Sequence, residues 1–225
     1  MYKAILWDID GTLLNFIKSE NAAIKECFRH FALPECTDEM VAVYSEINEG
    51  YWKLLERGEI TKPELFTQRF RDFFEKIGVS CNEAEFNSLY QQTLGKHIFP
   101  NDNGIELVRS LKGRVHQYAV TNGSAVAQER KLRVSGLDRL LDGIFISDKI
   151  GAEKPSVNFF DCVFQQIPEG RGEVIVIGDS LTSDIRGANN AGIACCWYSP
   201  EHSTPPADLR IDYIITDLNQ IKNII

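Results

Sequence analysis

Four times along this chain an apolar run of strand length ends abruptly in polar residues. Lys3–Trp7 (KAILW) stops at Asp8, and Val115–Val120 stops at Thr121-Asn122-Gly123. Gly143–Ile146 runs into Ser147-Asp148-Lys149, and Val174–Ile177 stops at Gly178-Asp179-Ser180. A near-continuous apolar run such as KAILW suits a strand buried on both faces of a sheet. A fifth run, Ile193–Trp197, and a weaker sixth, Ile211–Ile215, follow. Helix-length stretches lie between them at about 103–112, 124–135, 156–166 and 182–191. In the first of these Ile105, Val108 and Leu111 share a face, and Gly113 stands where a left-handed stop is expected. Strands and helices in alternation predict an α/β fold around a mostly parallel sheet.

The region from about 15 to 99 breaks that rhythm and carries no convincing strand. Ile24, Cys27, Phe28 and Phe31 recur at helical spacing. Thr61-Lys62-Pro63-Glu64 is a capping box, with Thr61 as N-cap and Glu64 three residues on. The helix it opens carries Phe66, Phe70, Phe73, Phe74 and Ile77 on one side and stops at Gly78. Ser80 with Glu83 reads as a second capping box. An all-helical block over 15–99 is therefore expected, inserted into an α/β core formed by 1–14 and 100–225.

Thirty-two acidic and 24 basic residues leave a net charge of −8. Such a surface repels phosphate backbones, which argues against a nucleic-acid polymer as partner. A small anionic substrate would need a local cation. The longest apolar runs fall far short of the ~18 residues that cross a bilayer. The N-terminus shows no cleavage pattern. The six cysteines are scattered and form no C-x-x-C pair. A cytoplasmic protein with reduced, mostly packed thiols is the expectation, with no membrane association.

Each polar cluster lies past a strand's carboxyl end, the edge where open α/β sheets bind ligands. Asp8-Ile9-Asp10-Gly11-Thr12 places two carboxylates two residues apart, a nucleophile beside an acid/base partner. D-x-D-G-T arises by chance about once in 10⁵ starting points at ordinary residue usage. Thr121-Asn122-Gly123 offers a hydroxyl and free N–H groups at a helix start, a phosphate-sized anion site. Lys154-Pro155 adds a cation, and Asp179 with Asp184 suits a hard metal ion. Each cluster alone has an ordinary explanation as a turn, a cap or a solvated charge. Together they form a complete phosphoryl-transfer set: Asp8 attacks phosphorus, while Mg²⁺ and Lys154 offset the gathered negative charge. Thr121 and nearby N–H groups hold the phosphoryl oxygens.

With DIDGTL (8–13), VTNG (120–123), KP (154–155) and GDSLTSD (178–184) in order, the sequence resembles the haloacid dehalogenase (HAD) superfamily over essentially its whole length. The resemblance implies a Rossmann-like, doubly wound core with a helical cap inserted after the first motif, and Mg²⁺-dependent phosphatase chemistry. Carried over by position, Asp8 is the nucleophile and Asp10 the general acid/base. Asp8, the Asp10 carbonyl and Asp179 would hold Mg²⁺, with Asp184 in support. Thr121, Asn122, Gly123 and Lys154 would bind the phosphoryl group. The string GDSLTSDIRGANNAGIACCWYSP (178–200), with INEGYW (47–52) and GEIT (58–61), resembles the bacterial pyrimidine 5′-nucleotidase branch. That branch often carries Glu where this chain has Gly11. It implies a nucleoside 5′-monophosphate as substrate, with Tyr51 and Trp52 of the insert as candidate contacts to the base.

The alternatives within the superfamily are a sugar-phosphate phosphatase or phosphomutase, which only the cap would distinguish, and a 2-haloacid dehalogenase. The last needs neither Asp10 nor a metal, because no leaving oxygen takes a proton. A receiver domain would be half as long, and a P-loop NTPase would show G-x-x-x-x-G-K-[ST], which is absent. The four histidines are not clustered and carry no assigned role. Monomer and homodimer both remain open.

Overall fold

The computed structural model describes residues 2–225. Its sheet is formed by β1 (Ala4–Trp7), β2 (His116–Thr121), β3 (Gly143–Ile146), β4 (Val174–Gly178), β5 (Ala194–Tyr198) and β6 (Tyr213–Ile215). All are parallel, in the order β3-β2-β1-β4-β5-β6. Succession runs outward from β1 in one direction through β3 and from β4 in the other through β6. The reversal lies beside β1, where doubly wound sheets open a crevice at their carboxyl edge.

The helices are α1 (Phe16–His30), α2 (Asp38–Glu56), α3 (Lys62–Ile77), α4 (Glu83–Leu94), α5 (Gly104–Leu111), α6 (Ala125–Ser135), α7 (Ser147–Ile150), α8 (Val157–Phe164) and α9 (Arg186–Ala191). Alternate side chains of β1 feed two cores. Ile5 and Trp7 pack with Leu107, Val108, Leu111 and Leu132 from α5 and α6. Ala4 and Leu6 pack on the other face with Phe159, Phe160, Val163 and Ala188 from α8 and α9. AILW is apolar throughout because β1 has no solvent face; all four of its residues are fully buried.

A third core belongs almost wholly to the helical insert. Phe28, Tyr44, Phe70, Phe73, Phe74, Phe86 and Tyr90 dominate it. Tyr44 stacks on Phe70 with centroids 5.1 Å apart, and Phe70 lies tilted against Phe86 at 5.0 Å. The Thr61–Glu64 box is present: the Thr61 amide donates to the Glu64 carboxylate at 2.8 Å. Gly78 closes the helix at φ +69°. The second box forms differently. Asn82, not Ser80, is the N-cap of α4; its side-chain oxygen accepts from the Glu85 amide at 2.9 Å. Glu83 thus sits in the first turn, where its charge meets the helix dipole. The chain leaves and returns to the sheet at one place, where the Asn15 amide donates to the Phe99 carbonyl at 2.7 Å.

None of the six cysteines is paired; Cys27, Cys36, Cys195 and Cys196 are buried, and Cys81 and Cys162 are half-buried. Among the described residues no helix is long and apolar enough to cross a membrane.

Candidate active site

The four clusters meet in one cavity of about 170 Å³ beyond the carboxyl ends of β1, β2 and β4, lined by Asp8, Asp10, Thr121, Lys154, Asp179 and Asp184 among others. Asp8 follows β1 directly, and its amide continues the ladder to the Ile177 carbonyl at 2.9 Å. Lys154 Nζ is buried and donates to Asp8 Oδ1 at 2.8 Å, Asp184 Oδ1 at 2.6 Å and the Val120 carbonyl at 2.8 Å. All three ammonium protons are thereby used. Burial alone would lower the Lys154 pKa; the two carboxylates outweigh it and raise it instead.

The acids are strained electrostatically. Burial, then the Asp184 charge, pushes Asp8 well above the usual carboxylate range despite Lys154. The same two causes push Asp179 up to about 7. Asp179 Oδ1 accepts from the Thr12 hydroxyl at 2.8 Å. Gly11 makes this approach feasible, since a Cβ there would lie 2.3 Å from Asp179 Oδ2, and its φ is +99°. Trp197 Nε1 donates to the Asp179 carbonyl at 2.9 Å, fixing the loop from behind.

The donor set fits a hard divalent cation. Asp8, Asp179 and Asp184 each offer a carboxylate oxygen, all within 4.8 Å of one another. Asp8 Oδ2 is buried and has no hydrogen-bond partner. One lysine against three carboxylates leaves negative charge for a metal to balance, and an all-oxygen set suits Mg²⁺.

The remaining residues singled out in the sequence divide. Thr121 is buried, and its Oγ1 accepts from the Gly123 amide at 3.1 Å, which leaves its proton free to donate. The Asn122 side chain turns away to clasp the Lys154 backbone, donating to its carbonyl and accepting from its amide, both at 2.8 Å. Trp52 reaches the cavity from α2. Tyr51 does not: one residue along the helix it faces about 100° away, and its hydroxyl donates to Asp72 Oδ2 at 2.6 Å beside a separate surface groove. Sequence reasoning missed Glu56, one helical turn beyond Trp52, which lines the same cavity. An i, i+4 search from Trp52 would have found it. It also missed Gln128 and Lys131 of α6, both hydrogen-bonded to Asp10.

A larger cavity of about 740 Å³ adjoins, sharing Phe16, Trp52, Glu56, Asp179 and Ser180. Its wall in the insert includes Glu20, whose carboxylate accepts from Asn48 Nδ2 at 2.9 Å and from the Ser45 hydroxyl. Burial pushes Glu20 up to about 7, against the opposing hydrogen bonds. A raised acid pKa means the folded state holds the proton more tightly. This contribution to stability is complete below the ordinary glutamate pKa and is lost as pH rises through about 7. The full span corresponds to about 3 kcal/mol as an upper figure. Glu20→Gln is therefore expected to flatten the fall in thermal stability between pH 4.5 and 8 relative to the parent protein. Identical pH slopes for the two proteins would show that Glu20 is not held in this way.

A doubly wound parallel sheet of this order, with paired acids past β1, a buried lysine after β3 and an acidic loop past β4 meeting in one cavity, is an α/β architecture with a candidate active site at its carboxyl edge. The family model of haloacid dehalogenase-like hydrolases matches residues 2–192, and the chain belongs to that family. It is 32% identical over 225 residues to the HAD-hydrolase YfnB of Bacillus subtilis, covering all of this chain and 95% of YfnB. A crystal structure of YfnB bound to magnesium, described as revealing interdomain movement, superposes with a TM-score of 0.92 over 99% of this chain and 98% of that one. The pyrimidine 5′-nucleotidase PynA of Streptococcus pneumoniae is 34% identical over 203 residues, 89% of this chain and 85% of PynA. The pyrimidine 5′-nucleotidase YjjG of Escherichia coli is 26% identical over 222 residues, 98% of this chain and 96% of YjjG. The chain is accordingly an enzyme of the HAD hydrolase family.

Proposed function

We propose that this enzyme is a Mg²⁺-dependent phosphomonoester hydrolase acting on nucleoside 5′-monophosphates, pyrimidines foremost. The observation that carries the reading is Asp8: one oxygen is tied by Lys154, the other is buried without a partner, and the residue lines a cavity of about 170 Å³ with room for a phosphoryl group. Asp8 attacks phosphorus and becomes an aspartyl phosphate as the ester oxygen departs. Asp10 gives that oxygen its proton, then takes one from the water that cleaves the acyl phosphate. The Thr121 hydroxyl, steadied by the Gly123 amide, donates to a phosphoryl oxygen beside the Asn122 N–H, and Lys154 turns one ammonium proton from its present acceptors to another. Asp8, the Asp10 carbonyl and Asp179 would hold Mg²⁺, with Asp184 in support, and the ion when bound supplies charge neutralisation at the reacting phosphate.

In this reading residues 1–14 and 100–225 are the catalytic core and 15–99 a cap. The separate aromatic core of the insert and its single paired neck at Asn15 and Phe99 support that division. Lys62 of α3 joins cap to core, donating to the Ser147 hydroxyl at 2.7 Å and to Asp148. A cap that closes keeps bulk water from the acyl phosphate. The part of the substrate beyond the phosphate would occupy the larger cavity, with Phe16 and Trp52 where the two join. The similarity to PynA and YjjG supports a nucleotide there.

The test is a substrate panel with Mg²⁺. Uridine, thymidine and deoxyuridine monophosphates are expected to exceed glucose and glycerol phosphates by at least ~10-fold in kcat/KM. Base stacking on an aromatic ring is worth about 1–3 kcal/mol, so Trp52→Ala should close much of that gap while sparing a small aryl phosphate. Sugar phosphates outrunning every nucleotide would end the nucleotidase reading.

A further inference from the structure

Helix α6 carries two buried polar side chains that no phosphate-binding motif requires. Gln128 is 1% exposed and Lys131 fully buried, one helical turn apart on the same face. Both reach Asp10, more than a hundred residues earlier in the chain. Gln128 Nε2 donates to Asp10 Oδ2 at 2.5 Å, and Lys131 Nζ donates to Asp10 Oδ1. Asp10 is the carboxylate with which Lys131 pairs, and the ammonium also lies 5.7 Å from the centroid of the Phe16 ring. A buried lysine is costly unless its partner is fixed.

Two further details tie this pair to Asp10 rather than to packing. Gln128 Oε1 is buried without a partner, so the amide is oriented for its nitrogen, at a cost to its own oxygen. Gly123 makes room for it: a Cβ there would lie 2.1 Å from Gln128 Nε2. Gly123 is not among the glycines with positive φ, so it is the neighbouring amide, not the backbone, that excludes a side chain.

We infer that Gln128 and Lys131 are positioning residues that hold the Asp10 carboxylate toward the leaving-group oxygen of the substrate. The inference rests on the phosphatase reading above, in which Asp10 is the acid/base. Each carboxylate oxygen accepts one bond from α6 and keeps a second lone pair for the cavity that Asp10 also lines. Asp10 sits in a turn after β1 bridged to Leu14, so its backbone is placed by the turn and donors anchored on a helix fix its side chain. A misplacement of about 1 Å at such a group costs on the order of 10²-fold in rate.

The experiment compares kcat and KM for Gln128→Leu, Lys131→Met and Asp10→Asn, with Mg²⁺, on a nucleoside 5′-monophosphate and on 4-nitrophenyl phosphate. The nucleotide expels an alkoxide that needs a proton; the aryl ester expels a stable phenolate that does not. For Gln128→Leu and Lys131→Met we expect kcat/KM, which ends at phosphoryl transfer and so leaves out the water-activation step common to both esters, to fall by ~10²-fold on the nucleotide and by less than ~3-fold on the aryl ester. In the Asp10→Asn background neither substitution should cost more than ~2-fold further. If Lys131→Met fails to fold, Gln128→Leu decides the question by itself. Equal losses on both esters, or losses that multiply with Asp10→Asn, would overturn the positioning role and leave the phosphatase reading standing. A parent protein inactive on every phosphate ester would overturn both.

Discussion

Asp8→Asn should fold as well as the parent protein, or better, and lose at least ~10³-fold in turnover on any phosphomonoester. The loss follows from removing the attacking anion, since an amide oxygen does not open a phosphate ester and the other groups cannot replace it. The stability follows from charge. Burial and Asp184 hold Asp8 well above the normal carboxylate range, so a neutral residue of equal shape relieves repulsion in the folded state. Asn keeps an oxygen for Lys154, which donates to Asp8 Oδ1 in the parent. The two readouts together exclude unfolding as the cause of inactivity. Phosphatase activity within ten-fold of the parent in a clean preparation would remove Asp8 from the mechanism.

Stripping divalent cations with a chelator should abolish activity entirely, and Mg²⁺ should restore it. Three carboxylates share about 5 Å of space with one lysine, and the substrate brings further negative charge. Without a cation, a phosphate meets repulsion from the residues meant to bind it. Mg²⁺ should also raise the melting temperature, because it binds the assembled carboxylates and not the unfolded chain. Asp179→Asn should weaken both effects, since Asp179 presents its carboxylate toward Asp8 and Asp184 from the β4 loop. Full activity in excess chelator would separate this enzyme from metal-dependent phosphatases.

Much of this was legible in the sequence, and the limits have physical causes. The strands announce themselves because β1, β2 and β4 are buried on both faces and cannot alternate. The polar clusters lie past the carboxyl ends of the strands, so finding one helps to find the other. Lys154 was legible as a cation, but its contact with Asp184 was not, because parallel strands bring together residues far apart in the chain. Gln128 and Lys131 were illegible for a stronger reason. On a helix, a glutamine and a lysine three residues apart look like a solvated face, and only packing shows that this face turns inward toward Asp10. Adjacent helix residues point in different directions, so Tyr51 and Trp52 could be separated only by the packing of α2. Ser80 and Asn82 competed as caps for α4, and the one whose oxygen met a free amide prevailed.

The neck at Asn15 and Phe99 bears on how the chain reaches this structure at all. Trp7 pairs beside Ala119, so the central strand must find a partner more than a hundred residues away. The four helices of the insert, α1 to α4, make contacts mostly local in sequence, the kind that form early. Once they pack, Asn15 lies against Phe99, and the loop still to be closed shrinks to a few tens of residues. By loop-closure entropy that saving is about 1 kcal/mol, small against total stability but several-fold in the chance of the first correct strand pairing. The inserted helices serve, during folding, as a splint that brings the ends of the broken sheet together.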